Sequence, residues 1–453
     1  MGDDARRNVI MTAAIAGLGG LLFGYDTGII ASAMLFIRSD LGLSSFEQGL
    51  VVAAVPVGAA FGALLAGPLS DKRGRRLVII VSAFVFIAGA LVSAAADSVA
   101  VLTISRIVIG VAIGFASATA PVYISEVAPP EIRGRLVTMF QLAVTIGILV
   151  AYVVGLAFEP NGEWRWMLGL GALPALLLAG GMIKMPRSPR WLLMTGQDYE
   201  ARAVLAKIRG PNQHEIDVEV DEIKAQVGEE PGRWSELGTP LMRAALTVGL
   251  GLAILQQVTG INTVIYYAPT IVEYTGIDSA SSAILASIGV GIVNVGMTVV
   301  ALRLLDRAGR RPLLLIGVAG MTFSLFTLGL AFELGDEDTV TSVVAIGSLM
   351  LFVASFAISL GPIFWLLNSE IYPLRTRSKA AALGTFTNWI FNFAVSLTFL
   401  LLIDALGQSG AFWLYAAIGG VTFVFCQRLV PETKDKHLEE IEAEFARRAG
   451  VAA

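Results

Sequence analysis

The amino-acid sequence predicts an all-α integral membrane protein with twelve transmembrane helices, arranged as two similar bundles of six. Three observations support this fold class. Of the 453 residues, 55% are hydrophobic and only 15% are charged, compared with about 25% charged in typical soluble domains. The apolar residues are concentrated in twelve long stretches, and charged motifs of the first half return in the second half.

Each apolar stretch has about the 20 residues that cross a hydrocarbon core of about 30 Å as a helix. The stretches lack the alternation over about ten residues that is typical of barrel strands, so we expect helices. The predicted spans cover residues 9–37, 47–69, 77–96, 99–122, 134–158, 165–185, 242–272, 280–304, 312–333, 341–369, 378–403 and 410–430.

Two charged motifs occur once in each half of the chain. The segment 71–76 has a counterpart at 306–311, 235 positions later (306 minus 71), and the segment 126–133 has one at 370–377, 244 positions later (370 minus 126). Repetition on this scale in a membrane protein is typical of transporters whose substrate binds between two pseudo-equivalent bundles.

Hydrophilic stretches divide the chain. We predict a first six-helix bundle at 1–186, a linker with helical pieces at 187–241, a second six-helix bundle at 242–430 and a tail at 431–453. The linker is too short for a catalytic domain, so we expect it to join the halves, with regulatory binding as the alternative.

Basic residues define the expected orientation. Nearly all Lys and Arg lie in the tails and in the loops on one side, whereas the opposite loops hold only Arg38 and Arg165. The positive-inside rule therefore places both termini in the cytoplasm. We expect a monomeric, multi-pass protein of the bacterial inner (plasma) membrane, in contact with the lipid bilayer. The first span is too long for a signal peptide, so we expect no cleavage.

Several other classes of protein fit the sequence poorly. An intramembrane enzyme would need paired carboxylates, a metal-binding helix motif or a nucleophile beside a base, and both histidines, His214 and His437, lie in hydrophilic stretches. A channel would need pore-lining rings. We expect no enzymatic activity, no metal, no cofactor and no nucleic-acid partner. The single cysteine, Cys426, excludes an internal disulfide.

Two ionisable residues, Asp26 and Arg106, lie deep within predicted spans. Each such residue costs about 2.5 to 3.5 kcal/mol at the centre of a spanning helix, so each requires an explanation. Asp26 lies 17 residues into the first span (26 minus 9), and Arg106 lies about 10 Å below the other surface at 1.5 Å per residue. Because their depths agree, we expect a pair that forms when Asp26 is ionised and separates when it is protonated. A static ion pair is the alternative.

Several motifs resemble those of the sugar porter family of the major facilitator superfamily, and the likeness extends over essentially the whole chain. It implies the major facilitator fold and the transport of a hexose, pentose or polyol by alternating access. The motifs that carry the resemblance are GLLFGYDTG at 20–28, GPLSDKRGRR at 67–76, PVYISEVAPPEIRGR at 121–135, PRSPRWL at 186–192, QQVTGINTVIYY at 256–267 and PETK at 431–434.

The resemblance also implies the coupling ion. Proton-coupled members of the family have aspartate at the position of Asp26, whereas uncoupled members commonly have an uncharged residue there. We therefore expect proton symport of a neutral monosaccharide, most simply a hexose such as glucose, with a pentose as an alternative. An uncoupled sugar facilitator and a symporter of myo-inositol or another polyol remain open, as does a non-transporting sugar sensor.

A sugar site needs amides that both donate and accept hydrogen bonds, together with an aromatic plate. The spans contain such residues, and by resemblance they match the sugar-contacting positions of the family. Any one of these amides could instead join two helices. The candidate sugar-binding residues are Gln141, Gln256, Gln257, Asn262, Asn294, Trp365 and Asn388. Tyr266 and Tyr267 match the outer gate, and Gly361 and Pro362 are expected to break the tenth span.

Charged residues at the predicted cytoplasmic helix ends form a candidate network that latches the halves together in one state. The positive-inside rule explains its basic members but not the matching acids. In a looser repeat, 186–189 corresponds to 431–433, and Arg187 replaces the glutamate usual in the family. The network residues are Asp71, Arg75, Arg76, Glu126, Arg133, Arg135, Asp306, Arg310, Glu370, Arg375, Arg377 and Glu432.

Overall fold

The computed structural model describes residues 3–227, 233–276, 279–335, 339–434, 436 and 438–448, without the side chains of residues 3, 226, 227, 306, 374, 438 and 439. Helices occupy nearly all of this part of the chain. Eleven of them are long and apolar enough to cross a membrane. One, Leu374–Leu429, has 56 residues and is interrupted by non-helical backbone at Gly407, so it supplies two spans. The predicted all-α fold with twelve spans is therefore confirmed.

The observed spans begin and end close to the predicted positions. Spans 1 to 6 are Asp3–Asp40, Ser45–Arg73, Arg75–Ala94, Val99–Val127, Pro130–Phe158, and Trp164–Gly169 with Ala172–Lys184. Spans 7 to 10 are Pro240–Val258 with Ile261–Tyr266 and Ala268–Glu273, then Ala280–Ala308, Arg310–Leu334, and Thr339–Ala357 with Leu360–Glu370. Spans 11 and 12 are the parts of Leu374–Leu429 before and after Gly407.

Spans 7 and 10 are broken near their middles. Span 7 is interrupted at Gly260, which has a φ of +91°, and again at Tyr267. Span 10 is interrupted at Ser359, whose φ and ψ are −127° and −104°. Gly361 and Pro362 lie in the first turn of the following helix, directly after the interruption. Proline has no N–H and clashes with the carbonyl four residues before it, so Pro362 is compatible with a helix that ends just before Leu360. Broken helices free backbone carbonyls for side chains and ligands.

The close contact between spans 1 and 5 depends on glycine. A Cβ on Gly20 would lie 2.5 Å from the Phe140 carbonyl oxygen, and one on Gly28 would lie 2.8 Å from the Ile148 carbonyl oxygen. Only glycine allows the two backbones to approach so closely. This contact positions Asp26, which lies between the two glycines in sequence.

Short helices outside the spans pack against the ends of the bundles. The linker contains Pro189–Met194, Asp198–Arg209 and Gln213–Val227, and its last turn is the 3-10 helix Trp234–Gly238. Arg209 bonds the carboxylate of Glu219 at 2.8 Å and donates to the Val127 carbonyl at 2.8 Å, which ties the linker to the end of span 4. The helix Leu438–Arg448 in the tail was not predicted; Ile441 and Phe445 are buried on it.

We call the side that holds segments 71–76 and 306–311 the basic side, and the other one the opposite side. Contacts between the halves are found toward the opposite side. Arg38 at the end of span 1 pairs with Glu273 at the end of span 7, with 2.9 Å between Nη2 and Oε2. The hydroxyl of Tyr152 donates to the Ile265 carbonyl at 2.8 Å. The two bundles are therefore joined on the opposite side in this conformation.

Candidate functional site

Asp26 and Arg106 form an ion pair inside the first bundle. Arg106 Nη1 and Nη2 lie 3.2 and 3.3 Å from the two carboxylate oxygens of Asp26. The residues are 3% and 1% exposed, and Arg106 Nε donates to the Val51 carbonyl at 2.9 Å. A bidentate geometry of this kind is the strongest arrangement for a carboxylate and a guanidinium. The structure thus brings together the two deep charges found in the sequence.

Four of the candidate amides form one hydrogen-bonded cluster in the second bundle. Asn388 Nδ2 donates to Gln256 Oε1 at 2.6 Å, and Gln257 Nε2 donates to Asn388 Oδ1 at 3.0 Å. Asn262 Nδ2 donates to Gln257 Oε1 at 2.6 Å. Spans 7 and 11 both contribute, so the cluster crosses a helix interface. Buried amides that satisfy one another can exchange these bonds for those of a polyhydroxylated ligand.

The amide cluster also contacts the break in span 10. Gln256 Nε2 donates to the carbonyls of Leu360 at 2.8 Å and Gly361 at 3.4 Å. Because the helix is interrupted at Ser359, the next turn begins beside Gln256. Gln256 therefore connects the amide cluster to span 10 at its break.

Three candidate sugar-binding residues make no hydrogen bond with this cluster in the described part of the chain. Gln141 is half-buried in span 5 of the first bundle, and Asn294 is 7% exposed in span 8. Trp365 is 38% exposed, and its ring lies 4.8 Å from that of Phe364 in an edge-to-face arrangement. The structure therefore does not join these three residues to the cluster by hydrogen bonds in this conformation.

The sequence analysis missed Trp389, which follows Asn388 in span 11. This tryptophan is 2% exposed, and its indole Nε1 has no hydrogen-bond partner among the described residues. Its ring lies 5.3 Å from that of Phe23 on span 1, so it meets the first bundle. An aromatic residue directly after an intramembrane amide was the signal that could have identified it. A buried, unpaired indole N–H is available to a ligand hydroxyl.

The two gate tyrosines, Tyr266 and Tyr267, are both buried at the second break in span 7. Tyr267 donates to the Ser396 carbonyl at 3.2 Å and lies at the break in span 7. Tyr266 is 2% exposed and ends the short helix Ile261–Tyr266, which packs against span 1 of the first bundle. Tyr267 contacts span 11 of its own bundle.

On the basic side, the first bundle contains a charge cluster around Arg75. Arg75 pairs with Asp71 at 3.0 Å and with Glu126 at 3.2 Å. Arg76 donates to the carbonyls of Met182, at 3.0 Å, and Ile183. These contacts link the ends of spans 2, 3, 4 and 6.

The second bundle repeats this arrangement with one addition. Arg310 pairs with Glu370 at 3.2 Å, as Arg75 does with Glu126. Glu432 accepts hydrogen bonds at 3.0 Å from the backbone N–H groups of Arg310 and Arg311, at the start of span 9. Burial raises the pKa of Glu432, but hydrogen bonds from backbone N–H groups, including that of Lys434, outweigh burial and hold this pKa below its ordinary value. Arg187, the counterpart of Glu432, instead pairs with Glu200 at 3.5 Å.

The remaining network residues are less connected. Arg133 and Arg135 are exposed, and no ion pair is found for either within the described ranges. Arg375 pairs with Glu236 of the linker at 3.6 Å, and Arg377 donates to the Tyr372 carbonyl at 3.0 Å. The side chain of Asp306 lies outside the described residues. In this conformation the pairs around Arg75 and Arg310 each lie within one bundle, so the expected latch between the halves is not formed by them.

This arrangement is that of a membrane carrier built from two helical bundles. It has an uncharged hydrogen-bonding cluster in one bundle, a buried acid-base pair in the other, and broken helices beside the cluster. In the part of the chain that the structure describes, no group of three or more His, Cys, Asp or Glu side chains could hold a metal ion.

Comparison with known proteins identifies the family. Residues 12–445 match the family model described as "Sugar (and other) transporter", so the chain belongs to that family of the major facilitator superfamily. A D-xylose transporter of Levilactobacillus brevis is 41% identical over 434 residues, covering 96% of this chain and 95% of the relative. A galactose-proton symporter of Escherichia coli strain K12 is 41% identical over 441 residues, covering 96% and 95%.

Solved structures show the same fold. The inward-open structure of the xylose transporter XylE from E. coli has a TM-score of 0.84 and 33% sequence identity, and the match covers 96% of this chain and 99% of that one. A structure described as the proton:xylose symporter XylE bound to 6-bromo-6-deoxy-D-glucose has a TM-score of 0.79 at 33% identity, covering 97% and 99%.

Proposed function

We propose that this chain transports a neutral monosaccharide together with a proton by alternating access. The observation that carries the proposal is the buried Asp26–Arg106 pair, which lies in a bundle separate from the uncharged amide cluster. A deep carboxylate that is not needed to bind a neutral ligand requires another role, and reversible protonation supplies one. The relatives named as proton symporters support this role.

The proton is expected to act through the ion pair. Ionised Asp26 accepts two hydrogen bonds from Arg106. Protonation removes the charge attraction, so Arg106 retains the Val51 carbonyl as its partner and the contact between spans 1 and 4 weakens. Protonation of Asp26 leaves the buried charge of Arg106 without its partner, which is costly. We therefore expect the helices around Arg106 to rearrange when Asp26 is protonated.

The sugar is expected to bind at the amide cluster. Gln256, Gln257, Asn262 and Asn388 supply donors and acceptors without net charge, and Trp389 supplies an unpaired indole N–H. Gln141, Asn294 and Trp365 are proposed to complete the site when the bundles approach each other around the ligand. We expect sugar binding to drive this closure. Because Gln256 bonds span 10 at its break, the sugar and the break are then linked through Gln256.

The basic side is proposed to be cytoplasmic, with the protein in the plasma membrane. The contacts between the halves on the opposite side then correspond to an inward-facing conformation, in line with the match to inward-open XylE. One proton entering with the sugar supplies about 2.3 kcal/mol for each 100 mV of membrane potential. That energy corresponds to about 50-fold accumulation.

The substrate is proposed to be a hexose such as glucose, or a pentose. The names of the relatives include transporters of D-xylose, galactose, glucose and arabinose. These sugars differ in the placement of hydroxyl groups and in one carbon, and the amide cluster can serve each of them.

Uptake into proteoliposomes tests this function. Wild-type protein should accumulate at least one of D-xylose, D-galactose, D-glucose and arabinose when the outside is made acidic, and should only equilibrate it without a gradient. Asp26→Asn should lose accumulation while it retains exchange of labelled for unlabelled sugar. Equal uptake with and without the gradient would indicate an uncoupled facilitator, and uptake of myo-inositol alone would indicate a polyol carrier.

A further inference from the structure

Tyr152 of the first bundle reaches the second break in span 7. It lies on span 5, and 0% of its surface is exposed. Its hydroxyl donates to the Ile265 carbonyl at 2.8 Å, two residues before the interruption at Tyr267. This hydrogen bond therefore joins the first bundle to the backbone of the second bundle at the point where span 7 is discontinuous.

The Ile265 carbonyl lacks its usual helical partner. In an α-helix each carbonyl accepts from the N–H group four residues later. The residue four positions after Ile265 is Pro269, which has no N–H. A buried carbonyl without a donor is costly, so span 7 needs a donor from elsewhere at this position. In this conformation the hydroxyl of Tyr152 supplies it.

The ring of Tyr152 also packs against span 8 of the second bundle. A Cβ on Gly291 would lie 3.3 Å from Cδ2 of Tyr152, so glycine at this position lets span 8 approach the ring. Asn294, a candidate sugar-binding residue, lies one helical turn after Gly291. Asn262 of the amide cluster lies one turn before Ile265 on span 7. Tyr152 therefore contacts two helices that carry candidate sugar-binding amides.

Within its own bundle, Tyr152 is anchored to the helix that carries Asp26. A Cβ on Gly28 of span 1 would lie 2.8 Å from the Cβ of Ala151, the residue directly before Tyr152. Such a close contact leaves spans 1 and 5 little room to move independently. We therefore expect Tyr152 to move together with span 1 when the bundles change their relative positions.

We propose that Tyr152 is a positioning residue that holds the opposite side closed by supplying the donor that Pro269 removes from span 7. The inference rests on the proposed function, because it requires a carrier that alternates between two states. Donor and acceptor belong to different bundles, so the bond exists only while the opposite side is closed. When that side opens, water can hydrate both groups, so the bond shifts the equilibrium by the net value of a hydrogen bond.

The test compares Tyr152→Phe with a matched control, Tyr123→Phe. Tyr123 is also 0% exposed, and its hydroxyl donates to the Pro186 carbonyl at 2.7 Å. Pro186 directly follows span 6, so this bond stays within the first bundle. Pro269→Ala is studied alone and combined with Tyr152→Phe, because alanine restores an N–H group that can serve the Ile265 carbonyl.

The position of the bundles is measured with pairs of spin labels at their opposite-side ends. The labels are attached to cysteines introduced at Asp97 and Leu334 in protein that carries Cys426→Ser, and distances are recorded by double electron–electron resonance. Exchange of labelled for unlabelled sugar is measured for each variant in proteoliposomes, which shows that the variant is folded and active.

For Tyr152→Phe, we expect the population at the long distance to rise about three- to tenfold, the equivalent of one buried hydrogen bond, with exchange retained. For Tyr123→Phe, we expect a change of less than about twofold, because its bond does not cross between bundles. In Pro269→Ala protein, removal of the Tyr152 hydroxyl should also change this population by less than about twofold, since the Ile265 carbonyl keeps a donor.

An unchanged distance distribution in Tyr152→Phe would overturn the inference, as would an equal shift in Tyr123→Phe. An equal effect of Tyr152→Phe with and without Pro269 would overturn the role assigned to the free carbonyl. Wild-type protein that exchanges none of the sugars tested would overturn the proposed function instead, and the label distances would still decide whether Tyr152 holds the bundles together.

Discussion

Arg38 and Glu273 form an ion pair of 2.9 Å that joins the ends of spans 1 and 7 on the opposite side of the protein. It connects the two bundles, whereas the pairs around Arg75 and Arg310 lie within one bundle each. In a carrier that alternates between two states, a pair between bundles stabilises only the state in which that side is closed.

Removal of this pair should favour opening of the opposite side. We expect Arg38→Ala to raise the population open on that side by up to about fivefold, because a partly exposed ion pair contributes about 1 kcal/mol or less. Spin labels at Asp97 and Leu334, at the opposite-side ends of the two bundles, should show a larger population at long distance. Cys426 is first replaced by serine so that only the introduced cysteines react.

Arg165→Ala is the matched control. Arg165 pairs with Asp40 at 3.0 Å on the same side, but both residues belong to the first bundle. Its removal should leave the distance distribution unchanged. An equal shift in both variants would contradict the role assigned to Arg38.

The buried pair should show strong coupling in a double-mutant cycle. Arg106→Gln leaves the Asp26 carboxylate without its partner in a buried site, so we expect a loss of about 3–5 kcal/mol in stability. Adding Asp26→Asn should restore much of this loss, because the uncompensated charge disappears. Thermal unfolding in detergent measures both effects. Additive losses in the double variant would show that the two side chains do not interact.

Gln257 should be a strong determinant of sugar affinity. It donates to Asn388 Oδ1 at 3.0 Å and accepts from Asn262 Nδ2 at 2.6 Å, so its loss leaves these two buried atoms without those bonds. We expect Gln257→Ala to raise the sugar Kd about 10-fold or more, as measured by tryptophan fluorescence. Asn368→Ala removes a buried amide that bonds only the Ala381 carbonyl in the described structure, and should leave Kd within about twofold. Similar effects of both substitutions would place the sugar elsewhere.

Glu432 should stabilise the protein in a pH-dependent way. Its carboxylate caps the start of span 9, and Gly309, with a φ of +85°, leaves it the space to do so. We expect Glu432→Gln to cost about 1 kcal/mol at pH 7, the usual value of a helix cap. Because the pKa of Glu432 is lower in the folded protein than its ordinary value of 4.5, this contribution is present above pH 4.5 and disappears as the pH falls through the lowered pKa.

Thermal unfolding of both proteins from pH 3.5 to pH 7.5 checks this expectation. The difference in Tm should be largest near neutral pH and should shrink toward pH 3.5. A difference that grows as the pH falls would contradict the assignment of a charged cap.

Much of the fold was predictable because the bilayer restricts the possibilities. Apolar length alone located the twelve spans, since each must cross the same thickness as a helix. The break in span 10 was expected at Gly361 and Pro362, and the interruption lies at Ser359, two residues before Gly361, because a proline prevents regular helix in the turn that precedes it. The helix Leu438–Arg448 was missed because it is a short amphipathic segment held by packing beneath the second bundle.

The candidate site was only partly predictable, for a different reason. Asp26 and Arg106 stood out because charge is rare in a span. Trp389 is one aromatic residue among many in the spans, and only tertiary structure places its ring 5.3 Å from that of Phe23 on span 1. The pairing of Arg38 with Glu273 likewise depends on how the two bundles meet. The pairings of Arg75 with Glu126 and of Arg310 with Glu370 depend on how the helices pack within each bundle.

The most direct measurement of the role of Asp26 is proton movement during sugar entry. Sugar is added to lightly buffered, de-energised proteoliposomes, and the external pH is recorded. We expect wild-type protein to alkalinise the medium as each sugar enters with a proton, and Asp26→Asn to exchange sugar without any change in pH. Sugar entry through wild-type protein at constant external pH would contradict proton coupling through Asp26.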